Sequence, residues 1–467
     1  MQSLWSNSSL PIPFVKESYL PIVGHFIPFL RDRSKFLLKC QRLYGSRFVI
    51  QIFSQRMIFL LDPCDWPAIN RNVNLSLPAR DISTKLFGLR PEFINDKETQ
   101  DEFHRFNKQY LQSTQSLGSL ISRFVKCVRE TMMHDRANIG VRRWQECGLL
   151  ELSHHMIFEA SGRTLFGDIN PLVLEKSFSI FDKNIHYFVA SLPQYIQSLF
   201  LRREIHARNQ IAAYFDSHPH APNESEFVRH RASLILEKDD RKPNDLGRFQ
   251  TTIFWASVAN TIPATFWSLF YILQDRNALE KINEEIRTHL PPFSLSDCND
   301  PNINLWTYDA IAKCVYLESA INETLRLKGA PMVHKSCTQD TVIQLADDRV
   351  LPIKKDDSVF LFPEATHYNE HYFSEPDSYK FDRFIGKTTD TIKGLLPFGT
   401  GKTMCPGRHF SKGEIKVCLA LILYLIEYEF IDANPLALTV HDFNEDGRLD
   451  VAISHYGGTV NIFLNTC

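Results

Sequence analysis

The chain has 467 residues, enough to bury a large core in one big domain or in two or three smaller ones. Apolar residues make up 44% and charged residues 23% of the chain, which excludes a disordered or fibrous protein. The net charge is −2, from 52 basic and 54 acidic residues, so charge gives no reason to expect nucleic acid as a partner.

The first predicted elements are a helix and a hairpin. Residues 31–44 have a helical pattern that ends at Gly45. Two β-rich runs, 47–53 and 57–62, surround a short polar turn and are typical of a hairpin. From about residue 100 to 290 the pattern is mainly helical, and the predicted segments are 102–133, 145–166, 172–190 and 200–215.

One internal segment, 249–274, has no charged residue over 26 positions and is long enough to span a bilayer. Asn260, Thr261 and Pro263 at its middle favour a different interpretation. We expect a helix that is apolar on all sides and buried at the centre of a large protein. A charged surface helix over 277–290 follows it.

The second half of the chain contains a predicted helix over 307–328, short β-like runs at 341–346 and 358–362, and a helix-poor stretch to Gly394. A last helix covers 411–430. We find no internal repeat and no linker that divides the body. The sequence therefore predicts one mainly α domain with a small β portion over residues 1–435, followed by a separate tail over 436–467.

The stretch "PFGTGKTMCPGRHF", residues 397–410, surrounds one cysteine with glycines. Gly399 and Gly401 permit tight turns and close approach to a flat object. Gly407 follows the cysteine, where the last helix begins. A sulfur at a helix N-terminus is favoured as thiolate, so Cys405 suits one axial ligand of a haem iron.

Other roles for this cysteine fit less well. A buried structural cysteine would not need the surrounding glycines. A nucleophile would need a partner histidine, and His409 lies near without a known dyad pattern. Zinc would need further ligands at close spacing. The ten cysteines contain no CxxC pair, which favours reduced thiols over a disulfide framework.

The pattern Phe398-x-x-Gly401-x-x-x-Cys405-x-Gly407 resembles the haem-binding signature of the cytochrome P450 family. Upstream, Glu323-Thr-Leu-Arg326 resembles a second motif of the family, and its two charged residues share a helix face. Arg383, in "YKFDRF", completes the family's Glu–Arg–Arg network. The resemblance covers roughly residues 10–435. It implies the P450 fold, haem b as cofactor, Cys405 as the axial ligand, and a loop shaped by Phe398, Gly399, Gly401 and Gly407.

The uncharged segment corresponds to the family's central helix, which crosses over the haem. Its stretch 256–261, "ASVANT", is similar to sterol and oxysterol 7α-hydroxylases, sterol 12α-hydroxylase and prostacyclin synthase. An alanine stands where most members have an acid, and Asn260 stands at the usual alcohol position. The resemblance implies that Ala256, Asn260 and Thr261 face oxygen and substrate, with water held by Asn260 and Thr261 carrying protons. The alternative is that Asn260 caps or satisfies a kink beside Pro263.

Lys335 and a pair of histidines are further polar residues that could bind a group. Lys335 lies near where relatives place a cation for a haem propionate, although lysine lacks arginine's bidentate fork. His367 and His371 have the spacing of a metal pair, but no third ligand follows, so we expect ordinary surface or loop histidines.

The resemblance implies a monooxygenase that receives electrons from NADPH–cytochrome P450 reductase and hydroxylates a sterol or oxysterol. The alternatives are a haem isomerase of a lipid endoperoxide and a degenerate P450 whose tail serves adhesion or calcium binding. Animal members normally begin with an anchoring helix, and this sequence starts near the proline-rich stretch that follows it. We therefore expect peripheral association with the cytosolic face of the endoplasmic reticulum membrane.

The tail resembles a single FG-GAP or VCBS repeat. Asp442, Asn444, Asp446 and Asp450 have a D-x-N-x-D-G-x-x-D spacing that can surround calcium with oxygen ligands. One repeat cannot bury its own face. A second possibility is that 448–454 and 459–465 form a hairpin that imitates the terminal hairpin of P450s.

Overall fold

The structure is a computed structural model that describes residues 11–17, 19–76, 79–139, 148–189, 199–292, 300–329, 332–430, 437–441 and 450–454. The helices, in chain order, are α1 (Phe26–Arg31), α2 (Arg33–Tyr44), α3 (Trp66–Arg71), α4 (Ala79–Phe87), α5 (Pro91–Asn95), α6 (Lys97–Leu111), α7 (Thr114–Ile139), α8 (Leu149–Phe166), α9 (Leu172–Lys183), α10 (Ile185–Val189), α11 (Arg202–Ser217), α12 (Glu226–Leu236), α13 (Asp245–Val258), α14 (Thr261–Gln274), α15 (Arg276–His289), α16 (Tyr308–Ala312), α17 (Val315–Lys328), α18 (Glu364–His367) and α19 (Arg408–Phe430).

The strands are short and fewer in residues than the helices, so the prediction of a mainly helical chain with a small β portion is confirmed. They are β1 (Arg47–Ile52), β2 (Gln55–Leu60), β3 (Leu75–Ser76), β4 (Val333–Cys337), β5 (Thr341–Gln344), β6 (Val350–Ile353), β7 (Ser358–Leu361), β8 (Ala437–His441) and β9 (Asp450–Ser454).

The chain divides into two compact units. We call the first the sheet unit, and it consists of Met1–Ala79, Leu325–Tyr379 and Gly386–Cys405. We call the second the helical unit, and it consists of Arg80–Thr324, Lys380–Ile385 and Pro406–Cys467.

The sheet unit is built on a five-stranded sheet of order β1-β2-β7-β4-β3, in which β2 and β7 are parallel and the other pairs antiparallel. Alternate residues point to opposite faces. Val49, Ile58 and Val359 are buried in one apolar cluster, and Phe59 and its neighbours in another. The ring of Phe59 stacks on those of Phe48 and Phe360, with centroids 5.5 and 5.2 Å apart. The predicted hairpin is therefore the edge of a larger sheet.

The helical unit packs α11 against α13 at very close range. At Gly247 in α13, an added Cβ would lie 1.8 Å from the carbonyl oxygen of Ala212 in α11, so only glycine fits there. An aromatic cluster that includes Phe87, Phe181 and Phe249 fills the space between several helices of this unit. The many phenylalanines of the sequence thus serve packing within both units.

Several predicted helices are interrupted. The segment predicted over 102–133 is divided between α6 and α7, and the helix predicted over 307–328 is divided between α16 and α17. The helices predicted over 277–290 and 411–430 match α15 and α19 closely. Apolar periodicity continues across a short break, so the pattern alone does not reveal it.

The uncharged segment is also two helices, because α13 ends at Val258 and α14 begins at Thr261. The prediction of one continuous helix was therefore wrong. Pro263 explains the break, since a proline ring crowds the carbonyl four residues earlier, here that of Ala259. Eight of the 14 residues of α13 and seven of the 14 of α14 are buried, which agrees only in part with the predicted buried character. No helix within the described ranges is both long and apolar enough to cross a membrane.

In the tail, β8 pairs antiparallel with β9, with Ala437 opposite Ser454. The described partner of residues 450–454 is thus β8. Residues 459–465, the partner in the predicted hairpin, lie outside the described residues. The predicted calcium ligands Asp442, Asn444 and Asp446 also lie outside them, and the calcium site stays a prediction.

Candidate functional site

The cysteine loop, residues 397–407, belongs to the sheet unit up to Cys405. Gly399 and Gly401 have φ angles of 73° and 65°, which strain any other residue. The Cys405 N–H donates to the Phe398 carbonyl at 2.9 Å and closes the loop. Cys405 itself is exposed. The loop is therefore closed by its own backbone and leaves the cysteine accessible.

Asn70, from α3, supports this loop. Its Nδ2 donates to Thr400 Oγ1 at 2.9 Å. A Cβ at Gly401 would lie 2.8 Å from Asn70 Oδ1, so glycine is required for this contact as well as for the φ angle. Two of the glycines predicted to shape the loop thus have a physical reason to be glycine. Gly407 accepts the Ser411 N–H at 2.9 Å in the first turn of α19.

The side chains that could bind a metal in the described residues suit a haem group at Cys405. All seven cysteines in the described part of the chain are reduced, and Cys405 and Cys64 are the exposed members of that set. Within the same described residues, no group of three or more histidine, cysteine, aspartate or glutamate side chains could hold a metal ion. One accessible cysteine sulfur, that of Cys405, fits a metal-containing group that brings the other metal ligands with it, as a porphyrin does.

Glu323 and Arg383 form a buried ion pair in the helical unit. Arg383 Nε donates to both carboxylate oxygens of Glu323 at 2.9 Å, and the Lys380 N–H donates to Oε1 at 3.1 Å. The side chains are 0% and 6% exposed. Two members of the predicted network are therefore in direct contact, and Glu323 orders the backbone that carries Arg383.

Arg326, on the last turn of α17, lies in the sheet unit and is fully buried. Its guanidinium donates to three backbone carbonyls, those of His367 at 2.6 Å, Pro376 at 2.7 Å and Ser378 at 3.4 Å. It also lies over the Phe373 ring, 5.3 Å from the centroid. Arg326 thus holds together the helix-poor segment that precedes the cysteine loop.

His367 corrects a prediction. We expected a surface or loop histidine, but its side chain is fully buried. One ring nitrogen, Nδ1, lies 2.8 Å from the Arg326 carbonyl, and the other, Nε2, accepts the Leu396 N–H at 3.1 Å. Burial lowers the pKa of His367 to about 4. His371, the other member of the pair, is exposed.

Lys335 lies in the middle of β4 and is 3% exposed. Burial lowers its pKa. A lysine in this position is unusual in a strand core, because desolvation of an ammonium is costly. Its burial is compatible with the predicted role toward a carboxylate.

The three residues predicted to face oxygen and substrate, which we call the distal residues, divide into two groups. Ala256 and Asn260 are exposed and lie one turn apart on the same side of the segment. Asn260 occupies the position before α14, but its side chain makes no capping hydrogen bond, which disfavours the capping alternative. Thr261 is 2% exposed, and its Oγ1 lies 3.2 Å from Ser411 Oγ in α19. The prediction that Thr261 faces substrate with Asn260 is therefore not supported.

Asp182 is a polar residue that the sequence reasoning missed. Its carboxylate accepts the Trp255 Nε1–H at 2.7 Å, and burial raises its pKa. Trp255 immediately precedes Ala256. A lone acid in an apolar helix pattern gives no sequence signal for such a contact, because Asp182 and Trp255 lie far apart in the chain.

The mainly helical fold, the exposed Cys405 in a glycine loop and the buried Glu323–Arg383 pair are the features expected of a haem-thiolate protein. The family model for cytochrome P450 matches residues 16–438. The chain belongs to the cytochrome P450 family, as the motifs predicted. Membership implies a haem iron, electron supply and monooxygenase chemistry.

Three curated relatives show which kinds of P450 the chain resembles. The chain is 28% identical to "Cytochrome P450 7B1" of Mus musculus, with 96% of this chain and 89% of the relative covered. It is 28% identical to "Cytochrome P450 7A1" of Oryctolagus cuniculus, with coverages of 90% and 88%. It is 25% identical to "7-alpha-hydroxycholest-4-en-3-one 12-alpha-hydroxylase" of the same organism, with coverages of 90% and 87%. These relatives belong to the group predicted from the stretch 256–261.

Proposed function

We propose that the protein hydroxylates a sterol or oxysterol, using O2 and electrons from NADPH–cytochrome P450 reductase. The observation that carries the proposal is the exposed Cys405 in a loop closed by its own backbone. The names of the relatives, which include a steroid 12-alpha-hydroxylase and a 25-hydroxycholesterol 7-alpha-hydroxylase, support the substrate class.

Cys405 would hold the haem iron from the proximal side through its thiolate. When bound, the haem supplies the activation of O2. Phe398, Gly399, Gly401 and Gly407 shape the loop, while Lys335 would donate to a haem carboxylate. The Glu323–Arg383 pair and Arg326 hold backbone segments that precede the loop.

Ala256 and Asn260 would face oxygen and substrate. The small Ala256 leaves room for a bulky apolar ring system. Asn260 can both donate and accept hydrogen bonds but cannot ionise, so its task is to hold a water molecule that moves a proton. Thr261 has no part in this proposal, because its hydroxyl is buried against Ser411.

Peripheral association with the endoplasmic reticulum membrane is part of the proposal. In the sheet unit, the exposed apolar side chains near the start of the described chain are Tyr19, Leu20, Ile22, Ile27 and Leu30. Ile22 is 88% exposed, which is unusual for an apolar residue in a water-facing position. Phosphatidylcholine vesicles should therefore bind the protein, and bind it less when Ile22 and Leu30 are both changed to serine.

Turnover of the haem-loaded protein tests the reaction. With reductase, NADPH and O2, cholesterol, 25-hydroxycholesterol and 7α-hydroxycholest-4-en-3-one are offered separately, and products are identified by mass spectrometry. A product one oxygen heavier that requires NADPH supports the proposal. Rearrangement of a prostaglandin endoperoxide without NADPH would instead support the isomerase. Absence of haem binding in the wild-type chain would leave only the degenerate P450.

A further inference from the structure

We propose that His367 is a positioning residue for the proximal thiolate, holding the backbone that leads into the cysteine loop at a fixed place relative to Arg326. The inference rests on the proposed role of Cys405 as a haem ligand. All of the residues concerned lie in the sheet unit.

The two neighbours of the His367 ring determine its state. The Arg326 carbonyl can only accept, so Nδ1 must carry the proton, 2.8 Å away. The Leu396 N–H can only donate, so Nε2 must be bare, 3.1 Å away. A neutral ring with the proton on Nδ1 satisfies both contacts. The charged ring would place an N–H against the Leu396 N–H.

Two backbone hydrogen bonds lie between Leu396, which contacts His367, and Cys405. Leu396 accepts the Gly399 N–H through its carbonyl at 3.2 Å, and Phe398 accepts the Cys405 N–H at 2.9 Å. The residue before His367 acts on the same stretch, since Thr366 Oγ1 donates to the Gly394 carbonyl at 2.6 Å. Two consecutive side chains of α18 therefore hold residues 394–396, directly ahead of the loop.

The contact between His367 and Arg326 is also fixed by hydrogen bonds. Arg326 Nη1 donates back to the His367 carbonyl at 2.6 Å, so Arg326 and His367 bond each other through both backbone and side chain. The ring is fully buried, so bulk water does not reach it to replace a lost partner. Loss of the ring would leave the part-buried Leu396 N–H and the buried Arg326 carbonyl without this partner, and the loop would shift to satisfy them.

The test compares variants of the haem-loaded protein. His367→Phe keeps the ring's bulk and removes both hydrogen bonds, and His367→Gln keeps one donor and one acceptor. His371→Phe is the matched control on an exposed histidine four residues away. Val359→Ala is a second control, because it weakens the core of the sheet unit without removing a side-chain hydrogen bond to the loop. Thermal stability and the carbon-monoxide difference spectrum of the reduced protein are measured for each.

We expect His367→Phe to lose the thiolate-type carbon-monoxide band several-fold more than Val359→Ala does at an equal loss of thermal stability. His367→Gln should restore most of the band, and His371→Phe should match wild type. An equal band in His367→Phe and Val359→Ala would overturn the inference. If His367→Phe binds no haem, His367→Leu, which also removes both hydrogen bonds, takes its place, and an undiminished thiolate band in that variant also overturns the inference. A wild-type chain without the band would refute the proposed function instead.

Discussion

The cysteine loop and the distal segment around Asn260 differ in how they are held. The loop is held mainly by backbone hydrogen bonds, from Cys405 to Phe398 and from Leu396 to a buried histidine. The distal segment is a break between two helices with an exposed alanine and an exposed asparagine. Backbone bonds constrain position whatever the side chains are, apart from the glycines. Under the proposed function, the cysteine loop would therefore keep one ligand geometry, while the side chains of the distal segment would set the substrate and the path of protons.

Removal of the cysteine should have the largest effect. In Cys405→Ala the sulfur that would bind iron is gone, so the thiolate-type carbon-monoxide band should disappear completely. Cys64→Ala, which removes the other exposed cysteine, should leave the band unchanged. An unchanged spectrum in Cys405→Ala would contradict both the proposed function and the contrast between the two regions.

Glu323→Ala should destabilise the protein by about 3–5 kcal/mol, because it removes the carboxylate that neutralises a buried arginine. Urea unfolding measures the change. Glu280→Ala is the control, since Glu280 pairs with Arg276 on an exposed helix face and should contribute about 0–1 kcal/mol. Similar losses in both variants would show that the buried pair contributes no more to the free energy of unfolding than an exposed pair does.

Glu414, in α19, tests what burial does to a carboxyl group without a basic partner. It is fully buried, accepts the Ser161 hydroxyl at 2.6 Å, and burial raises its pKa well above 4.5. The folded chain therefore keeps a proton that the unfolded chain releases above pH 4.5. The stability that the Glu414 carboxyl group contributes is greatest below that pH. This contribution should fall, by up to about 1.4 kcal/mol per pH unit, as the pH rises toward the pKa of Glu414 in the folded chain.

Glu414→Gln keeps the shape and the hydroxyl contact but cannot ionise, so this fall with pH should be absent. Urea unfolding of both proteins between pH 5 and pH 8 measures the difference in slope. Parallel curves for wild type and variant would mean that Glu414 does not titrate with folding.

On the distal side, Asn260→Leu should lower the hydroxylated product formed per NADPH consumed by about tenfold, since a held water is lost. The carbon-monoxide spectrum should stay unchanged. The matched variant is Thr261→Val, which loses only the Ser411 contact and should cost about 1 kcal/mol of stability with normal coupling. The reverse result, normal coupling in Asn260→Leu and poor coupling in Thr261→Val, would restore the original prediction for Thr261.

Much of the proximal region could be predicted from the sequence. The glycines around Cys405 and the pair Glu323 and Arg326 follow local spacing, which a sequence shows directly. The mainly helical fold followed from apolar periodicity. The helix breaks were missed because that periodicity survives a one- or two-residue interruption.

Other features depend on contacts between distant parts of the chain. His367 is buried because Arg326 and Leu396 lie on either side of its ring, and nothing in its own neighbourhood indicates this. Thr261 is a further example, because its hydroxyl lies 3.2 Å from Ser411 Oγ, a residue 150 positions away in the chain.

The proline that divides the uncharged segment has a second effect. Pro263 carries no N–H, so the Ala259 carbonyl lacks the donor that a continuous helix would provide four residues later. A backbone oxygen is thereby left for water or for a substrate hydroxyl, directly before Asn260. No side-chain substitution at positions 256–261 removes this backbone oxygen. Only a change at Pro263 itself, such as Pro263→Ala, separates the contribution of the Ala259 carbonyl from that of the Asn260 side-chain amide.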